Sequence, residues 1–499
     1  MQQPRRLFAL TGQEACLPFP LASQGKRPRP NQLHHEFIGS ASRTGPSHIR
    51  CLCLSDFASD RARRYKFRVK ARKAAVIFIF ITVTLDMMGI GLIAPVLPKL
   101  VLNFVGGDTH SAANWFGVFG TIFALMQFVF SPVLGVLSDR FGRRPIILLS
   151  NLGLGLDYFV MALAPTIRWL FIGRIISGIT AASVTTAMAY IADVVPKEKR
   201  AGAFGMIGAA FGVGFVLGPA LGGLLGHANP RLPFWVAGGL SLVNWLYGFI
   251  FVPESLPRDR RTAFTLGRAN PVGSLVLLRS HPELFRLATI QFIGYVAHEV
   301  FNVWALYAIF RYAWNERTIG LSLAVVGICS GVVSAGLVGP IVARIGERRT
   351  LSLGQFFGSI GMVIAGLART GLGYMLSIPV ICIWGISGPA AQGMMTHRVS
   401  EREQGELQGA ISSIRSLAVL LGPGLFTFTF AYFIDPKSGW NFPAAPWFLG
   451  AALLFIAMLM SLTVEQPEFA ATASNPTPTL GEEPMPPEGV TSGVVPPEL

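Results

Sequence analysis

Gly135-Val-Leu-Ser-Asp139-Arg140-Phe-Gly142-Arg143-Arg144 returns 204 residues later as Gly339-Pro-Ile-Val-Ala343-Arg344-Ile-Gly346-Glu347-Arg348. The same offset carries Gly218-Pro219 onto Gly422-Pro423. Two separate features at one offset mark an internal duplication in which the second half repeats the first. The chain around each copy is apolar. Hydrophobic residues fill 52% of the 499 positions and charged residues 13%, against roughly 25% charged in soluble proteins. Runs such as Ala74–Leu85, Phe116–Val136 and Ile378–Ile386 fit within spans of about 20 residues, the length that crosses a hydrocarbon core.

The hydropathy pattern predicts spans near 74–102, 112–137, 145–165, 167–194, 201–226, 233–252, 285–312, 318–343, 350–369, 373–396, 406–432 and 445–463. The expected fold class is an all-α membrane protein of twelve transmembrane helices in two six-helix halves. Residues 1–73 form a basic extension, 74–252 the N-terminal half, 253–284 the central linker, 285–463 the C-terminal half and 464–499 an acidic tail. The linker carries Pro253, Pro257, Arg258, Arg260, Arg261 and Arg268. The tail is rich in Pro, Glu and Thr, has no Lys or Arg, and is expected to be disordered.

Positive charge sets the orientation. Arg140, Arg143 and Arg144, then Lys197, Lys199 and Arg200, then Arg344, Arg348 and Arg349 share one side with the basic extension. Asn103–Ser111 on the other side has no Lys or Arg, although Arg311 and Arg317 are a mild exception. The expected location is the inner (plasma) membrane, multi-pass, with both termini cytoplasmic.

The net charge of +15 is mostly a property of residues 1–73, which hold +11 of it, so the basic balance is no sign of nucleic acid. These residues lack the apolar stretch of a signal peptide. They read as a disordered cytoplasmic extension, as sequence upstream of a start at a non-Met codon, or, at Arg61–Lys73, as a contact with anionic lipid. Five cysteines form no disulfide framework, and Cys51-x-Cys53 lacks the second pair that zinc requires. No metal is expected. The serine-hydrolase, zinc-protease and ATP-binding motifs are missing, which points away from an enzyme and from ATP.

In the repeated stretch, Gly135 and Gly142 suit close helix approach and a tight turn. Asp139 stands beside Arg140, Arg143 and Arg144, where it can pair or face a helix N-terminus. The fifth predicted span carries Gly205, Gly214, Gly218, Pro219, Gly222 and Gly223, a density that suits close packing in lipid with a kink at the proline. Ionisable groups within spans are expensive and default to functional candidates: Asp86, Asp157, Arg174, His298, Glu299 and Arg415.

Gly135–Arg144 resembles the signature between helices 2 and 3 of the major facilitator superfamily. In that family the cluster latches the cytoplasmic gate, and the resemblance implies the same for Asp139 and Arg143. The glycine spacing of the fifth span resembles the motif of proton-coupled exporters in the superfamily. From about Ala74 to Leu462 the chain resembles tetracycline efflux pumps and related drug:proton antiporters. The resemblance is carried by Leu85-Asp86-Met87-Met88-Gly89-Ile90-Gly91 with Pro95 and Pro98, Ala124-Leu125-Met126-Gln127 and Asp157-Tyr158. It continues through Gly173-Arg174 with Gly178-Ile179-Thr180, Tyr190-Ile191-Ala192-Asp193, Gly346-Glu347-Arg348-Arg349 and Gln404-Gly405 with Gln408-Gly409.

The resemblance implies a major facilitator fold. It places Asp86 and Arg174 at the central cavity or in proton coupling, and Gln127 and Asp157 on the substrate path. Two positions depart from the family. Ser330 stands where the pumps carry a histidine in helix 8, and Gly358 where they carry an aspartate in helix 9, residues tied there to proton coupling and metal–tetracycline transport. His298 and Glu299 have no evident counterpart and are candidates for a replacement titratable pair or for a wetted polar patch. Arg415 either snorkels or balances cavity carboxylates.

The expected function is a proton-coupled antiporter exporting drugs or other small molecules by alternating access. It would need no cofactor beyond the proton gradient, work as a monomer, and have the bilayer, substrate and protons as partners. The alternatives are a metabolite facilitator or importer of the same superfamily and a transporter-like sensor that moves no solute.

Overall fold

The computed structural model describes residues 77–181, 183–196, 199–262, 275, 277–278, 282–400 and 403–465. The basic extension with Arg61–Lys73, most of the linker beyond 262 and the acidic tail from 466 lie outside the described residues.

Every regular element among the described residues is helical. In chain order these are α1 (Ile77–Phe104), α2 (Thr109–Phe141), α3 (Arg143–Leu163), α4 (Ile167–Val194), α5 (Arg200–Ala228) and α6 (Leu232–Phe251). Then come α7 (Pro282–Tyr312), α8 (Glu316–Ile345), α9 (Glu347–Leu367), α10 (Gly371–Thr396), α11 (Gln404–Ile434) and α12 (Ala445–Ser461). Ten of them are long and apolar enough to cross a membrane, and α7 makes an eleventh if its segments Pro282–Asn302 and Trp304–Tyr312, bent by 46°, count as one span. The last helix is apolar but has 17 residues. At 1.5 Å per residue it reaches about 26 Å, a little short of a hydrocarbon core of about 30 Å.

Two departures from the predicted spans bear on function. The second helix runs on to Phe141, so most of the repeated stretch is helix rather than loop, and only Gly142 turns the chain. Gly142 (φ 110°) and Gly346 (φ 77°) both take the positive φ that favours glycine, so the two repeats reverse direction in the same way. Gly135, expected at a close helix approach, has nothing beyond its own helix within 4 Å of where a Cβ would stand. The eighth helix contains a π-helical stretch at Val333–Leu337, a local widening that often accompanies function.

Within the halves, α3 packs on α6 and α9 on α12. Between the halves, α5 packs on α8 and α2 on α11, two seams that exchange under the 204-residue repeat. Both seams are tight at one end only. A Cβ on Gly223 would lie 3.0 Å from Gly320 Cα, and one on Gly120 would lie 2.6 Å from Pro423 Cβ. Lys99 joins Glu316 across the halves at 3.0 Å, and His110 Nδ1 meets the Ala431 carbonyl at 3.0 Å.

The same end holds an aromatic knot in which Trp304 stacks on Tyr374 at 3.9 Å, with Trp314 and Trp447 edge-on around them. Toward the end that carries the basic motif the halves part. Positions 202, 205, 208 and 212 of α5 and 331, 336 and 339 of α8, all glycines, have nothing within 4 Å beyond their own helix. The bundle is closed at one end and open at the other.

Candidate functional site

Two buried carboxylates occupy the N-terminal half. Asp86, about a third of the way along α1, is 1% exposed and accepts a hydrogen bond from Asn244 Nδ2 of α6 at 3.2 Å. The same amide reaches the Thr82 carbonyl at 3.4 Å, which ties α6 to α1 at the carboxylate. Asp157 of α3 is 0% exposed, and Arg174 of α4 approaches its Oδ2 at 3.8 Å. Arg174 also donates to Met161 Sδ at 3.1 Å and stands 5.8 Å from the Phe123 ring of α2. Arg174 thus ties α4 to the Asp157 carboxylate of α3.

Gln127 is half-buried on α2. It lies seven residues, about two turns, below Gly120 on the same side of the helix. Asn244 escaped the sequence reading, although an amide inside the apolar run Leu240–Tyr247 is a signal of the same kind. The buried Asn151 of α3 was missed likewise.

The C-terminal half brings together a different set. His298 and Glu299 sit where α7 passes into a 3-10 turn, one turn before its bend, with Nδ1 4.0 Å from Oε1. Glu299 is 8% exposed, accepts from Asn302 Nδ2 at 2.5 Å, and packs its stem against Gly422 of α11. The His298 side chain is 62% exposed yet lies within 6 Å of the Trp384 and Phe301 rings, so it faces a gap inside the bundle. Arg415 of α11 lies over the Tyr295 ring at 5.9 Å.

The two departures from the pump pattern have structural partners. Ser330 Oγ is 3.5 Å from Cys382 Sγ. A Cβ on Gly358 would stand 2.8 Å from Leu454 Cδ1 and 2.9 Å from Trp384 Cβ. Trp384 thus fills the space that a side chain at position 358 would need.

At the open end, Arg143 organises the charged motif. It pairs with Asp139 at 2.6 Å and with Asp193, at the end of α4, at 3.1 Å. Its backbone N–H donates to Glu254 Oε1 at 2.8 Å. Ser255 donates to Asp193, and Arg144 to the Phe249 carbonyl. Arg140 lies beside the Phe141 ring.

These contacts bind α2, α3, α4 and the start of the linker, all on the N-terminal side. Adding 204 to Arg143 and Asp193 gives Glu347 and His397, and these are also joined, at 3.4 Å. The clasp is kept in the second half with its acidic and basic members exchanged.

The predicted motif of α5 resolves into packing faces. A Cβ on Gly214 would be 2.6 Å from Met87 Cβ, and one on Gly218 2.7 Å from the Met88 carbonyl of α1. Gly222 lies against the Leu92 carbonyl, and Gly223 with Pro219 meets α8 at Gly320. Gly205 touches nothing beyond its own helix.

Residues 79–423 match the Major Facilitator Superfamily. Among curated proteins, the chain is 40% identical over 388 residues to the tetracycline resistance protein, class C, of Escherichia coli, covering 77% of this chain and 95% of that protein. It is 36% identical to the class G protein of Vibrio anguillarum, covering 78% and 96%. Among solved structures, a bacterial homolog of the human lysosomal transporter Spinster, inward-facing and unoccupied, superposes with TM-score 0.63 at 18% identity, covering 79% of this chain and 98% of that one. The human organic anion transporter MFSD10 superposes with TM-score 0.58 at 22% identity, over 78% and 99%. The chain belongs to the major facilitator superfamily and, within it, to the family of tetracycline resistance proteins.

Proposed function

We propose that the protein is a secondary active antiporter that exports drugs or other small molecules in exchange for protons, by alternating access. The observation that carries the reading is the pair of carboxylates, Asp86 and Asp157, withdrawn from bulk water at positions inside their helices in the half that resembles the pumps most fully. Groups so placed in a membrane are expensive, and proton relays are among the uses that justify them. Asp86, bonded to Asn244 where α1 meets α6, is assigned the proton. The Asp157–Arg174 pair with Gln127 lines the substrate path.

By the rule that basic loops stay inside, the open end is read as cytoplasmic, so the halves stand ready to take substrate from inside. The proton gradient is the energy source, no bound cofactor is required, and one chain suffices. Tetracycline, named by the relatives, is the first substrate to test. With Ser330 and Gly358 in the C-terminal half, His298 and Glu299 supply the titratable groups there.

The test is accumulation in energised everted vesicles, first with tetracycline and then with a panel of toxic compounds. Wild type should accumulate substrate, and a protonophore or Asp86→Asn should abolish it. Accumulation that survives both changes would refute proton coupling through this residue.

A further inference from the structure

On the outer wall of the bundle, at the closed end, a crevice of about 410 Å³ opens between α2 and α4. Ser111, Asn114, Trp115 and Val118 line it from one helix and Arg168 and Phe171 from the other. It looks toward lipid rather than the central gap. Val118, Leu125 and Val129 are exposed along one stripe of α2, whereas the contacts of that helix to α11 leave from His110, Gly117, Gly120 and Thr121.

We propose that this crevice is a specific site for one glycerophospholipid, with its phosphodiester on Arg168 and one acyl chain over Val118 and Phe171. Arg168 forms no ion pair among the described residues, is exposed, and stands at the second position of α4. A guanidinium fork matches phosphate oxygens in pairs. Thr166, the N-cap of α4, offers its first-turn amides no side-chain acceptor, so the helix dipole adds attraction for an anion.

Asn114 gives one Nδ2 hydrogen to His110 Nε2 at 3.1 Å and has a second for the phosphate. The carboxylate of Asp108 is already engaged with Ser111 and with the His110 amide. The contact with Ser111 holds its carboxyl below the usual range.

Depth fits the partner. From Ser111 to Val118 the crevice descends about 10 Å at 1.5 Å per residue, which carries it from headgroup level into hydrocarbon. Trp115 sits at the boundary that tryptophans favour.

The test is native mass spectrometry of the full-length protein released from detergent after incubation with dioleoyl phosphatidylglycerol. Wild type should retain one lipid, and Arg168→Gln should lower its occupancy by about tenfold, the scale of a charge-assisted contact. Val118→Trp, which fills the groove, should lower it as well. Arg369→Gln, at the same end but outside the crevice, should not. Equal retention by Arg168→Gln would overturn the site. Equal retention of dioleoylglycerol would show that phosphate is not read, and equal retention of glycerol 3-phosphate would show that the chain is not, and either result sinks the proposal.

Discussion

Arg174 serves two elements at once, pairing with Asp157 of α3 while its guanidinium lies near Phe123 of α2. Removing one member of a buried pair leaves the other charge uncompensated, a loss of about 3–5 kcal/mol. Arg174→Gln should therefore lower the unfolding midpoint sharply, and Asp157→Asn on that background should recover most of it. A double variant no more stable than the single one would mean that Arg174 acts through packing alone.

A second residue-scale prediction concerns Gly358. Restoring the aspartate of the pumps as Gly358→Asp should destabilise by about 1–3 kcal/mol, as overpacking does, because Trp384 and Leu454 occupy the space. Trp384→Ala should relieve the cost, read as non-additive unfolding midpoints. Charged groups inside apolar runs were visible in the sequence because their expense marks them. Asn244 carries a weaker mark, a neutral amide inside an apolar run, and the pairing of Arg174 carries none, since it depends on where α3 and α4 meet.

At the scale of the helix, α5 separates two meanings of one motif. Gly214, Gly218 and Gly222 lie against the α1 backbone, where any side chain forces the helices apart. Gly222→Leu should abolish stable expression. Gly205→Ala should be neutral or slightly stabilising, since it adds helix propensity of up to about 1 kcal/mol without a contact to break. Fluorescence-detected gel filtration of the two variants checks both expectations. The periodicity of the motif was legible, but which neighbour each glycine meets was not.

The exchanged clasp belongs to this scale too. Glu347→Arg should weaken the end of α10 by setting two basic groups together, and His397→Asp added to it should restore stability by rebuilding the arrangement of Arg143 and Asp193. A failed rescue, judged from the same unfolding midpoints, would show that the two halves do not share this clasp.

For the whole molecule, the repeat explains why two seams close together. A rotation of one half against the other about the contacts of α5 with α8 and of α2 with α11 opens one end as it shuts the other. The sequence showed the halves through the 204-residue offset. It could not show which end is shut, because both arrangements use the same residues and differ by little free energy.

Thiol labelling reads that choice directly. In a variant without the native cysteines (Cys16, Cys51, Cys53, Cys329 and Cys382), a cysteine at Gly208 or Gly336 faces the open gap. A membrane-impermeant maleimide offered from the cytoplasmic side should modify either one in resting vesicles. A small thiol reagent should leave a cysteine at Thr427, buried against Gly117 across the closed seam, slow to react. A proton gradient that drives the cycle should protect positions 208 and 336 and expose position 427 in the same vesicles. If both ends react together or are protected together, the halves do not rock about a single site, and alternating access by this geometry fails.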